Sequence, residues 1–264
     1  MDRCVLQKTF ASIEKSRSES SSLRQFSHHL ISRWRQQISP KIVPLLSTVW
    51  AIGLGIAALS LWAFAQIADE VMEQETLNFD RNILLTLRTL HRPWLDRLAI
   101  LITDLGDPWT LGISSGILAL LLLWRRRIAE AIVLAIATTG AIGLNVLLKA
   151  FFDRPRPELW DRLVNVRYHS FPSGHAMVSL VVLGIIGYWL AVQYPKRRSL
   201  ILAVTGLWIF ATGLSRLYLG VHWPTDVIAG YAAGLVWLIA CILSLEIAWK
   251  RRSHHAIHSS HSSR

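Results

Sequence analysis

Charged residues and cysteines are both scarce in this sequence. Asp, Glu, Lys and Arg make up 17% of its 264 residues, whereas a soluble domain usually carries about 25%. The two cysteines, Cys4 and Cys241, lie far apart, one in a basic segment and one in an apolar stretch, which argues against a disulfide-rich scaffold. The shortage of charge favours a membrane protein over a soluble one, because apolar spans leave little room for charged side chains.

The apolar residues are gathered into six charge-free stretches, each near the length of about 20 residues that crosses a bilayer as a helix. A spanning segment must satisfy its own backbone hydrogen bonds, which favours helices. The sequence therefore predicts an all-α fold, a polytopic membrane helical bundle with six transmembrane helices. The predicted spans are 42–68, 108–124, 131–148, 176–195, 199–215 and 227–245.

The segment 78–104 differs from the spans because it is apolar on only one helical face. Its other face carries several charged residues, and Pro93 divides it into two pieces. We therefore expect an interfacial amphipathic segment instead of a seventh span. The charged residues of this segment are Asp80, Arg81, Arg88, Arg92, Asp96 and Arg97.

Basic clusters set the expected orientation and domain organisation. The formal net charge is +11, and basic residues flank the spans at 125–127, 196–198 and 250–252 as well as in the first 41 residues. Six spans place all of these on one side, which the positive-inside rule makes the cytoplasm. We predict a basic cytoplasmic tail (1–41), a membrane domain (42–250) and a polar His/Ser-rich tail (251–264). This position of the cations also disfavours nucleic-acid binding and favours contact with membrane lipids.

Three groups of polar residues fall on the opposite, outward side. Three permanent cations, the Ser173 hydroxyl and the backbone at Gly174 would meet near the start of the fourth span. A helix N-terminus attracts anions and glycine permits close approach, so this set predicts a phosphate site. Three cations suit a dianion better than a carboxylate. The cations are Lys149, Arg156 and Arg216.

Two histidines on this side supply candidate catalytic groups. Asp226 lies four residues after His222, about one helical turn, so its carboxylate is expected to accept the Nδ1 hydrogen and leave Nε2 as a nucleophile. His175 would then protonate the leaving oxygen while the cations stabilise the phosphoryl oxygens.

These residues form three motifs that resemble those of the type 2 phosphatidic acid phosphatase superfamily. The motifs are Lys149-x6-Arg156-Pro157, Pro172-Ser173-Gly174-His175 and Ser215-Arg216-x5-His222-x3-Asp226. The resemblance implies a phosphohistidine on His222, activation by Asp226, and His175 as the general acid. It also implies a metal-independent enzyme without a cofactor, and phosphate binding by Lys149, Arg156, Ser173, Gly174 and Arg216.

The expected substrate is a lipid phosphate or diphosphate. Isoprenoid diphosphate, phosphatidic acid and phosphatidylglycerophosphate are the candidate substrates. We expect the protein to lie in the cell (inner) membrane, with both termini in the cytoplasm and the active site on the non-cytoplasmic face. A lipid phosphotransferase and a non-catalytic lipid or anion transporter remain alternatives. The oligomeric state stays open.

Residues beside the motifs have expected structural roles. Asp153 and Arg154 are predicted to pack the loop or form a salt bridge, and Asp104 and Asp107 to cap the second span. Glycines within the spans are expected to permit close helix packing; they include Gly140, Gly143, Gly230 and Gly234.

Overall fold

The computed structural model describes residues 48–164 and 169–261, and within these ranges the chain is helical. The predicted basic tail, 1–41, lies outside the described residues. The helices are α1 Thr48–Met72, α2 Leu77–Arg88, α3 Pro93–Leu105, α4 Pro108–Trp124, α5 Ile128–Phe152, α6 Gly174–Gln193, α7 Arg198–Tyr218 and α8 Pro224–His261, with a short 3₁₀ helix at Pro195–Arg197.

Contacts divide the chain into two units, Met1–Gly53 and Leu54–Arg264. Of the first unit, the structure describes only the opening residues of α1. The second unit contains the helical bundle and every site residue predicted from the sequence.

The predicted spans agree with the described helices. Five helical stretches are long and apolar enough to cross a bilayer, and α3 with α4 passes the same test as a pair bent by 46°. If the bent pair is counted as one span, the described residues contain up to six spans. The prediction of an all-α membrane bundle is therefore confirmed.

The amphipathic segment 78–104 breaks where Pro93 was expected to break it. Helix α2 ends at Arg88, and Pro93 is the first residue of α3, where its missing N–H costs nothing. Only two residues separate α3 from α4, and the two helices form a pair bent by 46° that the sequence did not predict. Gly106 ends α3, and Asp107, which is extended, caps α4 through the backbone N–H groups of Trp109 and Thr110. The capping role predicted for Asp107 is thus confirmed.

Helix α6 lies at the centre of the bundle, where it packs against α5, α7 and α8. Half of the residues in its apolar stretch are buried by protein. Its side chains form a core with α5 and α8 that includes Ala137, Val181, Ile185 and Leu245. Many large apolar side chains on the other helices remain exposed, as expected where lipid is the neighbour. The central helix therefore provides a rigid support for the residues at its N-terminus.

The basic turns lie together at one end of this bundle. Arg127, between α4 and α5, donates from Nη1 to Oε1 of Gln193 at the end of α6 (3.4 Å) and stacks over Trp189. Trp249 on α8 donates to Glu130 at the start of α5 (3.3 Å). The ends of α5 and α7 and the starts of α6 and α8 are consequently at the opposite end, as six alternating spans require. Helix α8 continues to His261, so no break in the backbone marks the predicted boundary at residue 250.

Glycines make the contact between α6 and α8 possible. A Cβ added to Gly230 would lie 2.7 Å from the carbonyl oxygen of Ser173, and one added to Gly234 would lie 3.0 Å from that of Met177. Gly140 likewise faces the ring of Trp237. Gly143 differs from the expectation, because among the described residues no atom outside its own stretch of α5 lies within 4 Å of its Cβ position.

We expect Gly230→Ala to lower the free energy of unfolding by about 1–3 kcal/mol, because the added methyl group would push α8 away from α6. The matched control is Gly143→Ala, whose methyl group would enter open space, so its thermal midpoint should equal or exceed that of the parent. Thermal unfolding of the detergent-solubilised protein measures both. Equal midpoints for the two variants would contradict this account of the helix contact.

Candidate active site

Residues from three segments at one end of the bundle line one cavity of about 740 Å³. Lys149 comes from the last turn of α5, His175 from the first turn of α6, and Arg216 from the last turn of α7. The intervening loops add Arg156 and His222. The topology therefore brings the predicted cations and both predicted histidines to one place.

His222 and Asp226 form the pair that the sequence predicts. Nδ1 of His222 lies 3.3 Å from Oδ2 of Asp226, and both side chains are buried. An ionised carboxylate can only accept, so with Asp226 ionised the ring carries its hydrogen on Nδ1 and leaves the Nε2 lone pair available. Nε2 lies 3.2 Å from Nη1 of Arg156, which can only donate, in agreement with this tautomer.

The surroundings keep His222 neutral. Burial, followed by the nearby positive charges of Arg156, Lys149 and Arg216, holds the pKa of the His222 imidazole well below its usual value. A neutral imidazole is the nucleophilic form. Burial also lowers the pKa of Arg156 to about 10, against the opposing attraction of Asp226. That value is still far above neutral pH, so Arg156 keeps its charge.

The cations are held by protein oxygens around the cavity. Lys149 donates from Nζ to the carbonyl oxygens of His169 (2.6 Å) and Ser170 (3.3 Å). Arg156 donates from Nη1 to the carbonyl of Val221 (2.7 Å). Three cationic side chains around one cavity repel one another when all are charged, and a phosphoryl dianion would relieve that repulsion.

Arg216 offers a buried donor to such an anion. Its Nη1 donates to Oγ1 of Thr103 (2.6 Å). Its Nε is buried and has no acceptor among the residues that the structure describes. A buried N–H without an acceptor is costly, and Arg216 lines the cavity. An oxygen of a bound phosphate would satisfy this donor.

His175 lines the cavity from the first turn of α6. Its Nε2 is 3.4 Å from Oδ1 of Asp107, the residue that caps α4. Asp104 also lines the cavity. The carboxylate of Asp107 thus both caps α4 at the bend and orients the imidazole of His175.

Ser173 and Gly174 occupy different positions around the cavity. Ser173 is wholly buried, caps α6 by accepting from the N–H of Ala176 (3.5 Å), and donates its own N–H to the carbonyl of Asp226 (2.9 Å). It is not among the residues that line the cavity, so phosphate binding by its hydroxyl stays a prediction. Gly174 does line it, and a Cβ there would lie 2.8 Å from Oδ1 of Asn145.

Several contacts of the site could not be read from the motifs. Asn145 donates from Nδ2 to the carbonyl of Pro172 (3.2 Å), which ties α5 to the second motif. Ser170 donates to Oδ2 of Asp226. Neither residue belongs to a motif, and a lone Asn or Ser in the sequence carries no signal of its own.

Asp153 and Arg154, which lie inside the first motif, were predicted to pack the loop or form a salt bridge, and Arg154 forms one. Arg154 pairs with Asp226 (2.7 Å) and with Asp80 on α2 (2.8 Å), and it is buried. Asp153 pairs with the partly exposed His169. The sequence predicted a salt bridge but not its partners. Within the described ranges, no three His, Cys, Asp or Glu side chains converge on a common metal position.

This chain is similar to known proteins in one family. A family model described as the PAP2 superfamily matches residues 128–250. Phosphatidylglycerophosphatase B of Bacillus subtilis (strain 168) is 33% identical over 151 residues, 56% of this chain and 73% of that protein. An undecaprenyl-diphosphatase of Sulfolobus acidocaldarius is 34% identical over 124 residues, 44% of this chain and 55% of that protein.

A solved structure is similar over most of its length. It is described as the first transmembrane PAP2-type phosphatidylglycerolphosphate phosphatase from Bacillus subtilis. The TM-score is 0.64 at 27% sequence identity, and the match covers 74% of this chain and 96% of that chain. The family resemblance and the membrane fold expected from the sequence are both confirmed.

We expect the imidazole of His222 to stay neutral from pH 8 to about pH 6, because its pKa lies well below the ordinary value of about 6.5. Histidine-labelled protein, with the His222 resonance assigned by its loss in His222→Ala, tests this by NMR titration. A depressed pKa means that the proton binds only at lower pH, so the chemical shift should remain that of the neutral ring. A titration midpoint at or above 6.5 would contradict the electrostatic account.

Proposed function

We propose that this chain, which belongs to the PAP2 superfamily and is a membrane phosphatase, hydrolyses a lipid phosphate or diphosphate through a phosphohistidine on His222. One observation carries the proposal. The imidazole of His222, held at Nδ1 by a buried Asp226, lies with its Nε2 beside Arg156 in a cavity that also contains Lys149 and Arg216.

The first step would transfer the phosphoryl group to the histidine. Nε2 of His222 forms a bond to phosphorus while the bond from phosphorus to the leaving oxygen breaks. His175, in its protonated form, gives its proton to that oxygen, so the lipid alcohol or lipid phosphate leaves in protonated form and His175 becomes neutral. Asp226 stabilises the positive charge that develops on the imidazole.

The second step would return His222 to its starting state. A water molecule attacks phosphorus, its proton passes to His175, and the bond between phosphorus and Nε2 breaks to release inorganic phosphate. Throughout both steps the side chains of Lys149, Arg156 and Arg216, with Gly174 at close approach, would bind the phosphoryl oxygens. The residues themselves supply nucleophile, acid and charge stabilisation, so the mechanism calls for no metal ion.

The apolar wall of the cavity supports a lipid substrate. Trp109 at the start of α4, Ile142 and Val146 on α5, and Val178 on α6 line it beside the polar groups. The acyl or isoprenoid chain would lie against these side chains and extend between the helices into the surrounding lipid. Phosphatidylglycerophosphate and undecaprenyl diphosphate are substrate candidates because they appear in the names of the two relatives. Phosphatidic acid is the third candidate.

The proposed orientation of the protein in the membrane is based on the basic turns. The end that carries 125–127 and 196–198 would face the cytoplasm, with both tails there and 42–250 as the catalytic domain of a cell (inner) membrane protein. The cavity would then open at the non-cytoplasmic face. A reagent that does not cross membranes should reach a cysteine introduced at exposed Glu158 in intact cells, and labelling only after lysis would reverse this orientation.

We expect purified protein in detergent to release phosphate from at least one of the three lipids in the presence of EDTA. His222→Ala should lower the rate by at least about 10³-fold, because it removes the nucleophile. Phosphate measured by colorimetry, with the thermal midpoint as a folding control, provides the test.

Other outcomes of this assay separate the alternative functions. Loss of activity in EDTA would contradict the metal-free mechanism. Turnover only when an acceptor alcohol is added would indicate a phosphotransferase. Lipid binding that survives in His222→Ala, with no phosphate released by the parent protein, would indicate a transporter.

We expect His175→Ala to reveal a general acid through the leaving group. Loss of the acid should slow release from a lipid phosphate, whose alkoxide leaves poorly, by about 10²–10⁴-fold. A p-nitrophenyl phosphate ester needs little protonation to leave, so its rate should fall much less. Equal losses on the two substrates would exclude a role for His175 as the acid.

A further inference from the structure

Asp80 is a wholly buried carboxylate on α2, outside all three motifs. The sequence places it among the charged residues of an interfacial segment, but the structure turns it inward. Its neighbours on the helix behave differently, since Arg81 and Asn82 are exposed. A buried charge is costly unless it is paired and hydrogen-bonded, so its partners indicate its purpose.

The carboxylate of Asp80 contacts Thr225 in the third motif and Arg154 in the loop after α5. Oδ1 accepts the backbone N–H of Thr225 (3.0 Å), and Oδ2 accepts the hydroxyl of Thr225 (2.7 Å). Oδ2 also accepts from Nη2 of Arg154 (2.8 Å). Thr225 immediately precedes Asp226 in the first turn of α8, where exposed N–H groups favour a negative charge. Asp80 therefore fixes the backbone that carries Asp226.

Arg154 extends this link to the Asp226 side chain itself. Its Nη1 donates to Oδ1 of Asp226 (2.7 Å) and to the hydroxyl of Thr225 (2.8 Å). One guanidinium is thus shared between two buried carboxylates. The three groups have a formal net charge of −1, whereas Arg154 and Asp226 alone would sum to zero.

That remaining charge matters for His222. A carboxylate neutralised by its own guanidinium would attract the imidazole hydrogen weakly, and it would stabilise the cationic ring poorly as the ring attacks phosphorus. Sharing Arg154 with Asp80 preserves the negative charge beside His222. Burial keeps water from screening these charges, so the effect is larger than at a surface.

We propose that Asp80 is a positioning residue for the His222–Asp226 pair, acting through Thr225 and Arg154. It ties the amphipathic helix α2 to the catalytic loop. The inference rests on the proposed function, because it assigns His222 as the nucleophile. Since Asp80 is not among the residues that line the cavity, it should affect the chemical step and leave substrate binding unchanged.

Asp80→Asn tests the charge, because it keeps the shape and one acceptor oxygen. We expect kcat to fall by about 10- to 100-fold, with KM changed less than about threefold and the thermal midpoint close to the parent's. The matched control is Glu75→Gln, the same acid-to-amide change at an exposed residue that precedes α2, which should leave kcat unchanged. An unaltered kcat in folded Asp80→Asn, or a rise in KM alone, would overturn the proposal.

Thr225→Val tests the same link with both charges retained, and it serves if Asp80→Asn does not fold. It removes the hydroxyl that bridges Asp80 and Arg154 but keeps the backbone N–H. We expect kcat to fall with KM unchanged, and a parental kcat in this variant would overturn the proposal.

A readout independent of turnover separates this inference from the proposed function. Hydrogen exchange of the peptide containing Thr225 should be faster in Asp80→Ala than in the parent, because its N–H loses its acceptor, while the central α6 peptides exchange as before. Unchanged exchange at Thr225 would overturn the link. Faster exchange in a protein that releases no phosphate from any lipid would support the link and reject the proposed function.

Discussion

The buried carboxylate of Asp226 is the group around which the cavity end of the bundle is organised. It accepts hydrogen bonds from the N–H of Trp223 (2.8 Å), the hydroxyl of Ser170 and a guanidinium nitrogen of Arg154, and it holds His222. These donors come from the loop after α5 and the loop before α8. A carboxylate can be ionised without water only if such donors surround it. The loops are therefore fixed by the same contacts that prepare the nucleophile.

The positive side of the site follows from this arrangement. Lys149, Arg156 and Arg216 sit at the ends of two helices and in the loop between α5 and α6, each held by an oxygen of the protein: a backbone carbonyl for Lys149 and Arg156, and the Thr103 hydroxyl for Arg216. Carbonyl and hydroxyl oxygens orient a cation without cancelling its charge, whereas carboxylates would neutralise it. The carboxylate of Asp226 lies behind His222, and the three cationic side chains face the cavity, which Asp104 and Asp107 also line. A phosphoryl group entering between them would meet the nucleophile on one side and compensating charge on the others.

The sequence predicts most of this arrangement because alternation of spans fixes which loops share a face. Lys149, His175 and Arg216 mark the ends of apolar stretches, so their meeting required only the correct count of spans. Asp80, Ser170 and Asn145 could not be assigned in the same way. Their roles depend on how α2 and α5 pack against the loops, and the charged pattern of 78–104 gives the same periodicity whether Asp80 points outward or inward. The bend between α3 and α4 was missed for a related reason, since Gly106, Asp107 and Pro108 mark a break but not its angle.

The spread of the cations over separate helices has a consequence for handling the protein. Lys149 belongs to α5, Arg156 to the following loop and Arg216 to α7, so a tetrahedral oxyanion such as vanadate would cross-link elements that otherwise repel one another. A ligand that binds only the folded state adds its binding free energy to stability, about 2.7 kcal/mol at a concentration one hundred times its Kd. Such an oxyanion would then act as a ligand-specific stabiliser during extraction from the membrane. The gain would be concentrated at the helix ends that surround the cavity, where lipid no longer supports the bundle in detergent.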